Sequence, residues 1–540
     1  MKGKLLLAAI VAATMSASAQ GYKDGIEYYK AGQYSNAITL LERNLDKPGT
    51  DRALSLYYLG QAYLAKGDQA KAKSFFEQGL AADDKCPYNY VGLGGIALKD
   101  GNESQAKDYF KQAQALGKKN HEITVDIARA YYNADKVKYA KDVDKYLEKA
   151  HKDSKNRESS IYILEGDRLA NEQQFNEAAA KYEQSILFDP DSPEGYVKWT
   201  NVYSYVAPDF ATQKLEELLE KNPNSALAQR QLAEKYYDQG KLTRAAKQYG
   251  VYMANPSHFT EDTERYTVLL YADKDYDQAV KVSKELLASE PNNFQVSRIL
   301  VRSLADLKNA PEAVAAAKTF MENPAFKGRY NEGDYTVYSD VLFQNGDTVA
   351  SIDALKQGLA QFPQSADMMK TLSNAYMNIK AYPEAAEYAE QAVKANKDAT
   401  GVDYYYATRP FLAAASQLLN DPEKLNPIVD RGIALTEKAV SMFDPNEVPI
   451  PVLNRLALFE MVKNKMIAND KVLATANKMI ALMDADPKNA DPKNADNTLD
   501  DYVSAYRWIA QYYANNKDEE NMNAAKEKQA HYEELQKQAQ

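Results

Sequence analysis

The side chains that most often perform catalysis or hold metals are scarce in this chain. Its 540 residues include one cysteine, Cys86, and four histidines, His121, His151, His258 and His531. Zinc and non-haem iron sites need several histidine, cysteine or carboxylate ligands at short, regular spacing. No histidine has that spacing from another histidine or from Cys86. We therefore predict no catalytic residue, no metal site and no cofactor.

Two other motifs invite a chemical interpretation. Gly92-Leu93-Gly94-Gly95 is rich in glycine but lacks the Gly-Lys-Ser/Thr ending of a phosphate-binding loop, so it predicts close helix packing. Residues 485–494 repeat the sequence Ala-Asp-Pro-Lys-Asn twice. A calcium loop requires a central glycine and an acidic twelfth residue, which this segment lacks. We interpret it as a duplication that lengthens a loop.

A period of 34 residues organises most of the chain. Several positions repeat at this interval, among them Ala72, Ala106 and Ala140; Ala245, Ala279 and Ala313; Leu59, Leu93 and Ile127; Gly67 and Gly101. A fixed period of this length indicates one supersecondary unit stacked many times rather than a single globular core.

Residues 53–86 illustrate the predicted unit. Apolar and small residues stand at helical spacing on both sides of Gly67, which indicates two amphipathic helices and a turn. Gly67 can adopt the left-handed conformation that ends the first helix. Gly60 and Ala72 are small because the two helices are expected to cross there. Prolines end the second helices of later units, at Pro190, Pro223, Pro256, Pro291, Pro324 and Pro363.

These offsets resemble the tetratricopeptide repeat, in which a bulky residue is followed by Leu-Gly, Tyr, Gly, Ala, an aromatic residue, Ala and Pro. The resemblance covers residues 20–398 and implies an all-α superhelix, or α-solenoid, of about eleven helix-turn-helix units. They start near residues 18, 53, 87, 121, 159, 192, 226, 260, 294, 332 and 366. The unit near 192 departs from the pattern, because Trp199-Thr200 replaces Leu-Gly and the turn glycine is missing.

From residue 399 the offsets fail. Tyr404-Tyr405-Tyr406, Pro410 and the run from Asp421 to Pro427 interrupt them, although 428–443 and 452–483 keep helical periodicity. We predict degenerate helical pairs over 399–540, ending in a polar helix that caps the stack.

Residues 1–19 have the pattern of a secretory signal peptide. Lys2 and Lys4 precede an apolar stretch, and Ala17-Ser18-Ala19 forms a small-x-small cleavage site before Gln20. The site has no cysteine, so we expect a periplasmic protein rather than a lipoprotein. Cleavage before Gln resembles signal peptides of Bacteroidota.

The formal net charge is −10, and acidic and basic residues are interspersed along the helices. Nucleic-acid binding needs clustered Lys and Arg, so nucleic acid is not expected as a partner. After the N-terminus no apolar run approaches the length that spans a bilayer, so no integral membrane segment is expected.

In tetratricopeptide repeat proteins the concave face of the superhelix binds ligands, and the resemblance places one set of residues there. They are Tyr132, Tyr205, Tyr237, Tyr271, Arg129, Arg230, Arg298, Arg302, Lys370 and Asn374. The tyrosines either contact a ligand or pack between neighbouring first helices. Lys370 and Asn374 match the start of the carboxylate clamp of chaperone-binding relatives, but Tyr404 and Tyr405 stand where the clamp needs Asn.

The sequence therefore favours a non-enzymatic scaffold that binds a protein or peptide segment in a concave groove. The resemblance to long tetratricopeptide proteins of Bacteroidota suggests a link to envelope transport machinery. The alternative is a glycan-capturing accessory protein of the outer membrane, similar to starch-binding proteins that contain these repeats. An enzyme would need a catalytic domain, and no sequence motif indicates one.

Overall fold

The computed structural model describes residues 20–204, 206–494 and 498–539. The predicted signal peptide, residues 1–19, and Tyr205 lie outside these residues. The described part of the chain consists of α-helices joined by turns, with no β-strand in it. This confirms the all-α fold that the 34-residue period predicts.

The chain forms two compact units, the first ending at Leu286 and the second beginning at Leu287. Helix-turn-helix pairs make up the first unit, and each predicted repeat corresponds to one pair. Up to the division the helices are α1 (20–30), α2 (Tyr34–Asn44), α3 (Arg52–Ala65), α4 (Gln69–Ala82), α5 (Pro87–Lys99), α6 (Glu103–Leu116), α7 (Glu122–Ala134), α8 (Ala140–Ser154), α9 (Ser159–Asn171), α10 (Phe175–Phe188), α11 (Pro193–Tyr203), α12 (Pro208–Lys221), α13 (Ala226–Asp238), α14 (Leu242–Met253), α15 (Asp262–Ala272) and α16 (Tyr276–Ser289).

The second unit begins with three more pairs and continues with less regular helices. Its helices are α17 (Phe294–Asp306), α18 (Ala310–Glu322), α19 (Glu332–Gln344), α20 (Thr348–Gln361), α21 (Ala366–Asn378), α22 (Tyr382–Ala395), α23 (Gly401–Ala407), α24 (Arg409–Gln417), α25 (Pro422–Ser441), α26 (Ile450–Lys463), α27 (Asp470–Asp484), α28 (Leu499–Asn515) and α29 (Glu519–Ala539), with 3-10 turns at Pro324–Phe326 and Pro487–Ala490.

Most of the described turns within pairs have the left-handed backbone that the repeat pattern predicts. Gly67 has φ +88°, and the glycines of the same phase, Gly101, Gly240 and Gly346, also have positive φ. In three units a lysine holds this conformation instead, because Lys274, Lys308 and Lys380 have φ between +56° and +64°. A residue with a Cβ adopts this conformation at a cost of about 1–2 kcal/mol.

Small residues in the first helices accommodate aromatic rings from the second helices. A Cβ atom on Gly60 would lie 2.3 Å from the Phe76 ring, and one on Gly94 would lie 2.3 Å from the Phe110 ring. Both rings are buried in the core between the helices. Gly60 and Gly94 are therefore small because each makes room for an aromatic side chain. The sequence predicts only that two helix backbones cross there.

The region from 399 departs from the regular pairing. Helix α25 begins at Pro422 rather than near 428, with Pro422 in its first turn and Pro427 inside it. The duplicated Ala-Asp-Pro-Lys-Asn segment forms a loop with a 3-10 turn between α27 and α28. Helix α29 buries only Ala525 among its described residues, as expected for a terminal cap. The predicted change of regularity at 398 lies inside the second compact unit.

Candidate functional site

In the first unit, the N-terminal helix α1 packs against repeats that follow it by about 200 residues. Gly21 and Gly25 let α1 pack closely on its own partner helix α2, where added Cβ atoms would meet Asn44 and Leu41. Tyr28 follows at i+7 from Gly21; it is fully buried and meets the Phe259 ring edge-on at 5.3 Å. Tyr28 belongs to a hydrophobic cluster with residues of α11 to α15. The N-terminal pair thus closes the first unit on itself.

Hydrogen bonds fix this contact. The Ser225 hydroxyl donates to Oε2 of Glu27 at 2.6 Å, and the Asn222 amide donates to Oε1 at 3.4 Å. The guanidinium of Arg43, on α2, donates to the backbone carbonyls of Pro256 and His258 at 3.3 and 3.2 Å. The side chains of α1 and α2 therefore satisfy polar groups of the turns they cover.

At the end of α1, Lys30 connects two further repeats. Its Nζ atom lies 3.0 Å from Oε1 of Glu122 and 3.8 Å from Oε2 of Glu194. Burial lowers the pKa of Lys30, but these two carboxylates outweigh that effect and raise the pKa above its ordinary value. Part of the surface that these repeats share is therefore occupied by a segment of the same chain.

The predicted binding arginines of the first unit are engaged in ion pairs. Arg129 lies 3.2 Å from Asp167 and 3.8 Å from Asp126. Arg230 donates two hydrogen bonds to Asp262, at 2.7 and 2.9 Å, and the Asp262 side chain is 8% exposed. Each arginine thus holds a carboxylate supplied by the next unit.

The second unit repeats this arrangement. Arg298 donates two hydrogen bonds to Asp334, at 2.8 and 2.7 Å, and Arg302 lies 3.7 Å from the same carboxylate. The Asp334 side chain is 1% exposed and also closes a capping box with Asn331 at the start of α19. Arg298 and Arg302 therefore compensate a buried charge.

The predicted tyrosines have different surroundings. Tyr132 is half-buried, and its hydroxyl accepts a hydrogen bond from Asn171 at 3.1 Å. Tyr237 is 41% exposed, with the Arg265 guanidinium 5.2 Å from its ring. The Tyr271 ring lies 5.5 Å from that of Tyr276. Tyr205 lies outside the described residues, and ligand binding by any of the four stays a prediction.

Lys370 and Asn374 are the predicted residues that remain available. Both are exposed on α21, and neither forms an ion pair or hydrogen bond within the part of the chain that the structure describes. They line a groove of about 670 Å³ between α21, α22, α23 and α24. The groove also carries Asn378, Arg409 and Tyr406, whose ring is 66% exposed.

Sequence reasoning missed the acidic partners and part of this groove. Asp167, Asp262 and Asp334 each follow their arginine by 32 to 38 residues, about one repeat period. A search for acids one period after each inner-face arginine would have found them. Arg409 and Tyr406 carry no periodic signal, because they lie where the repeat offsets have failed.

The described residues include neither a membrane-spanning helix nor a metal-binding cluster. No helix there is long and apolar enough to cross a membrane. No group of three or more His, Cys, Asp or Glu side chains is placed to hold a metal ion in the same residues.

Comparison with known proteins identifies repeats at both ends of the array. Residues 22–90 and residues 342–405 each match a family model described as tetratricopeptide repeat. No curated protein matches the chain.

Solved structures of similar architecture include the C-terminal part of a repeat-containing protein from Cytophaga hutchinsonii. It is 17% identical, with a TM-score of 0.37, over 51% of this chain and 97% of that one. A tetratricopeptide repeat protein from Parabacteroides merdae is 14% identical, with a TM-score of 0.29, over 56% of this chain and 98% of that one.

Proposed function

We propose that this chain, which is a tetratricopeptide repeat protein, is a non-enzymatic scaffold that binds an extended segment of a partner protein. We assign the binding to the groove of the second unit that contains Lys370 and Asn374. The observation that carries the proposal is that these polar side chains line a 670 Å³ groove without partners among the described residues.

The chemistry of the groove suits a peptide backbone. Asn374 and Asn378 stand four residues apart on α21, so their amides lie one turn apart on the same face. Each amide offers donors and an acceptor, which match the N–H and C=O groups of an extended chain. Met377 and Tyr406 add apolar surface for its side chains.

Lys370 and Arg409 offer two cationic positions to an acidic group of the bound segment. Three carboxylates also line the groove, Glu332, Asp367 and Asp403, of which Glu332 accepts a hydrogen bond from Ser365 and Asp403 from Thr400. Lys370 and Arg409 are exposed and line the same groove, and the charge of Lys370 contributes to the lowered pKa of Asp403, after the hydrogen bonds from Thr400. An Asp or Glu side chain of the partner would form charge-assisted hydrogen bonds with them. These are worth about 1.5–3 kcal/mol each when shielded from water.

Ion pairing distinguishes this groove from the rest of the predicted surface. Arg230 and Arg298 each hold a buried aspartate, so recruiting them to a ligand would leave that carboxylate uncompensated. Lys370 and Arg409 can bind an acidic group without that penalty.

We further propose that the chain is exported and acts in the periplasm, in contact with envelope transport machinery. The support is the sequence of residues 1–19, with Lys2 and Lys4 before an apolar stretch and Ala17-Ser18-Ala19 at its end. N-terminal sequencing of the protein from fractionated cells tests this. A chain starting at Gln20 in the periplasmic fraction is expected, and an uncleaved cytoplasmic chain would reject it.

The binding proposal is tested with the double variant Lys370→Ala and Asn374→Ala. Chemical crosslinking in cells identifies the partner segment, and a synthetic peptide of that segment is titrated against the purified protein. We expect affinity to fall at least about tenfold, as loss of one charge-assisted hydrogen bond requires.

Lys318→Ala is the matched control, because Lys318 is 63% exposed on α18 and pairs only with Glu322 of its own helix. It should leave the affinity unchanged. If the double variant binds the peptide as tightly as the control does, the groove is not the binding site.

A further inference from the structure

A cavity of about 310 Å³ lies inside the first unit, beside the end of α1. Five tyrosines contribute to its wall: Tyr29, Tyr34, Tyr57, Tyr58 and Tyr132. The Tyr29 and Tyr58 rings lie 5.2 Å apart, and those of Tyr57 and Tyr58 lie 5.0 Å apart. Exposed Asn133 and Asn171 also line the cavity, so one side of it reaches solvent.

The charges that line the cavity do not cancel. There are three cations and four carboxylates: Lys30, Arg129 and Lys198, with Glu122, Asp126, Asp167 and Glu194. The three cations make their shortest contacts with two of the carboxylates, Glu122 and Asp167. Lys30 lies 3.0 Å from Glu122 and 3.8 Å from Glu194, and Lys198 lies 2.7 Å from Asp167. One negative charge remains in excess.

Glu194 and Asp126 are the two weakly paired carboxylates, since each lies 3.8 Å from its cation, Lys30 or Arg129. Of these two, the carboxylate that a tyrosine of the cavity contacts within the described residues is Asp126. Its side chain is 11% exposed, and its nearest cation is Nε of Arg129, at 3.8 Å. Its hydrogen-bond donor is the Tyr57 hydroxyl, at the long distance of 3.4 Å. Arg129 instead makes its shorter contact, 3.2 Å, with Asp167. A buried carboxylate whose cation is held more closely by another acid is incompletely compensated, which favours uptake of a proton or of a second cation.

The surrounding hydroxyls are available to such a cation. Within the described residues, the hydroxyls of Tyr29 and Tyr58 donate and accept no hydrogen bond, although both rings line the cavity. Aromatic faces attract organic cations, most strongly where water is displaced. A primary ammonium group has three donors, which matches one carboxylate and two hydroxyls.

We propose that this cavity binds a small organic amine in its ammonium form, with Asp126 as its counter-ion and Tyr29, Tyr57 and Tyr58 around it. The volume limits the ligand to a small molecule. This site is separate from the peptide groove proposed above, so either proposal can fail without the other.

Protonation of Asp126 competes with the amine. Burial, followed by the neighbouring charge of Glu122, raises the pKa of Asp126 to about 7, while Arg129 and Lys30 oppose the shift and Glu194 adds to it. Tyr57 and Tyr58, on α3, face Asp126. Burial raises the pKa of each tyrosine, so both hydroxyls stay neutral. An alkylammonium stays charged up to about pH 10, as lysine does. Affinity for the amine should therefore rise as the pH increases through about 7 and then level off.

The test is a calorimetric and ligand-observed NMR titration of the full chain with n-butylammonium, using n-butanol as the neutral probe of the same size. We expect the ammonium to bind at pH 8 and more weakly at pH 6. Asp126→Asn, which keeps the shape and removes the charge, should weaken binding about tenfold or more. Tyr58→Phe should weaken it by a smaller factor.

Asp108→Asn, at an exposed position of α6, is the matched control and should bind like the unaltered protein. Circular dichroism checks that each variant is folded. Absence of ammonium binding, equal binding of n-butanol, or binding that Asp126→Asn leaves unchanged would each overturn the proposal.

Discussion

Glu27 and Ser225 are 198 residues apart in sequence, yet the serine hydroxyl donates a hydrogen bond of 2.6 Å to the glutamate. This contact joins the first repeat to the seventh within the first unit. It means that the N-terminal pair cannot be treated as one more copy in a linear stack. Helix α1 covers part of the surface that the repeats of this unit share, and a cavity remains beside its end.

Removing the buried ring of α1 should loosen the first unit. Tyr28→Ala deletes a fully buried side chain that contacts Phe259, and such truncations cost about 3–5 kcal/mol. Thermal unfolding should show the loss, and hydrogen exchange should accelerate in α13 and α15. Tyr237→Ala, at an exposed position of α13, should cost less than about 1 kcal/mol. Equal stability of the two variants would mean that α1 does not hold the unit closed.

Acidification to about pH 5.5 should strengthen the docking of α1. Burial raises the pKa of Glu27 to about 7 from its ordinary 4.5, with the Ser225 hydrogen bond opposing the shift and Asp24 adding to it. Because the folded state binds this proton more tightly, its stability falls as the pH rises from about 4.5 through 7. Hydrogen exchange of α1 should therefore be slower at pH 5.5 than at pH 8, after correction for the intrinsic rate.

The same docking should weaken again in stronger acid. Burial raises the pKa values of Glu122 and Asp167, but neighbouring cations outweigh this effect. The charge of Lys30 holds the pKa of Glu122 below its ordinary value, and the charge of Lys198 does the same for Asp167. Their stabilisation is lost as the pH falls through their lowered pKa values. In the Glu27→Gln variant, the difference in α1 hydrogen exchange between pH 5.5 and pH 8 should disappear. The loss of protection in stronger acid should remain. A steady decline from pH 8 downwards in the unaltered protein would contradict the assignment.

Adjacent glycines of α5 should respond oppositely to alanine. Gly94→Ala would place a Cβ atom 2.3 Å from Phe110, so we expect a loss of about 1–3 kcal/mol from overpacking. Gly95→Ala meets only Ala130, at 3.6 Å, and gains about 1 kcal/mol of helix propensity. Chemical denaturation of the pair distinguishes them. A destabilised Gly95→Ala with a neutral Gly94→Ala would show that the packing is misassigned.

Arg298 should matter for stability more than for binding. Arg298→Ala leaves the buried carboxylate of Asp334 with Arg302 at 3.7 Å, and breaking a buried pair costs about 3–5 kcal/mol. Arg409→Ala removes an exposed arginine and should change stability by less than about 0.5 kcal/mol. Denaturant unfolding monitors both variants. If Arg298→Ala unfolds like Arg409→Ala, the pair does not support the second unit.

The repeat period predicts local structure well. It identifies the helix pairs, the turn at Gly67 and the small residue at Gly60, because each depends on contacts within about 34 residues. It does not identify Lys274, Lys308 or Lys380 as left-handed, since lysine has no intrinsic preference for that conformation. Those turns follow from the packing of the two helices that they join.

The closure of the first unit could not be predicted. Glu27, Tyr28 and Lys30 occupy ordinary positions of a first helix, and their partners lie 92 to 231 residues later. Nothing periodic connects such positions. Lys370 and Asn374 are exposed, and their role in binding stays a prediction. Whether an arginine such as Arg230 is available depends on a carboxylate in another repeat, which the pattern does not reveal.

The groove of the second unit is tested most directly by site-specific photocrosslinking in living cells. A photoreactive residue is placed at position 374 in the groove, or at position 318 on the exposed side of α18. We expect position 374 to yield adducts with one recurrent, extended segment of a partner, and Lys370→Ala to diminish them. Position 318 should yield none of these adducts. Adducts with that segment at position 318 and not at position 374 would contradict the assignment of binding to this groove.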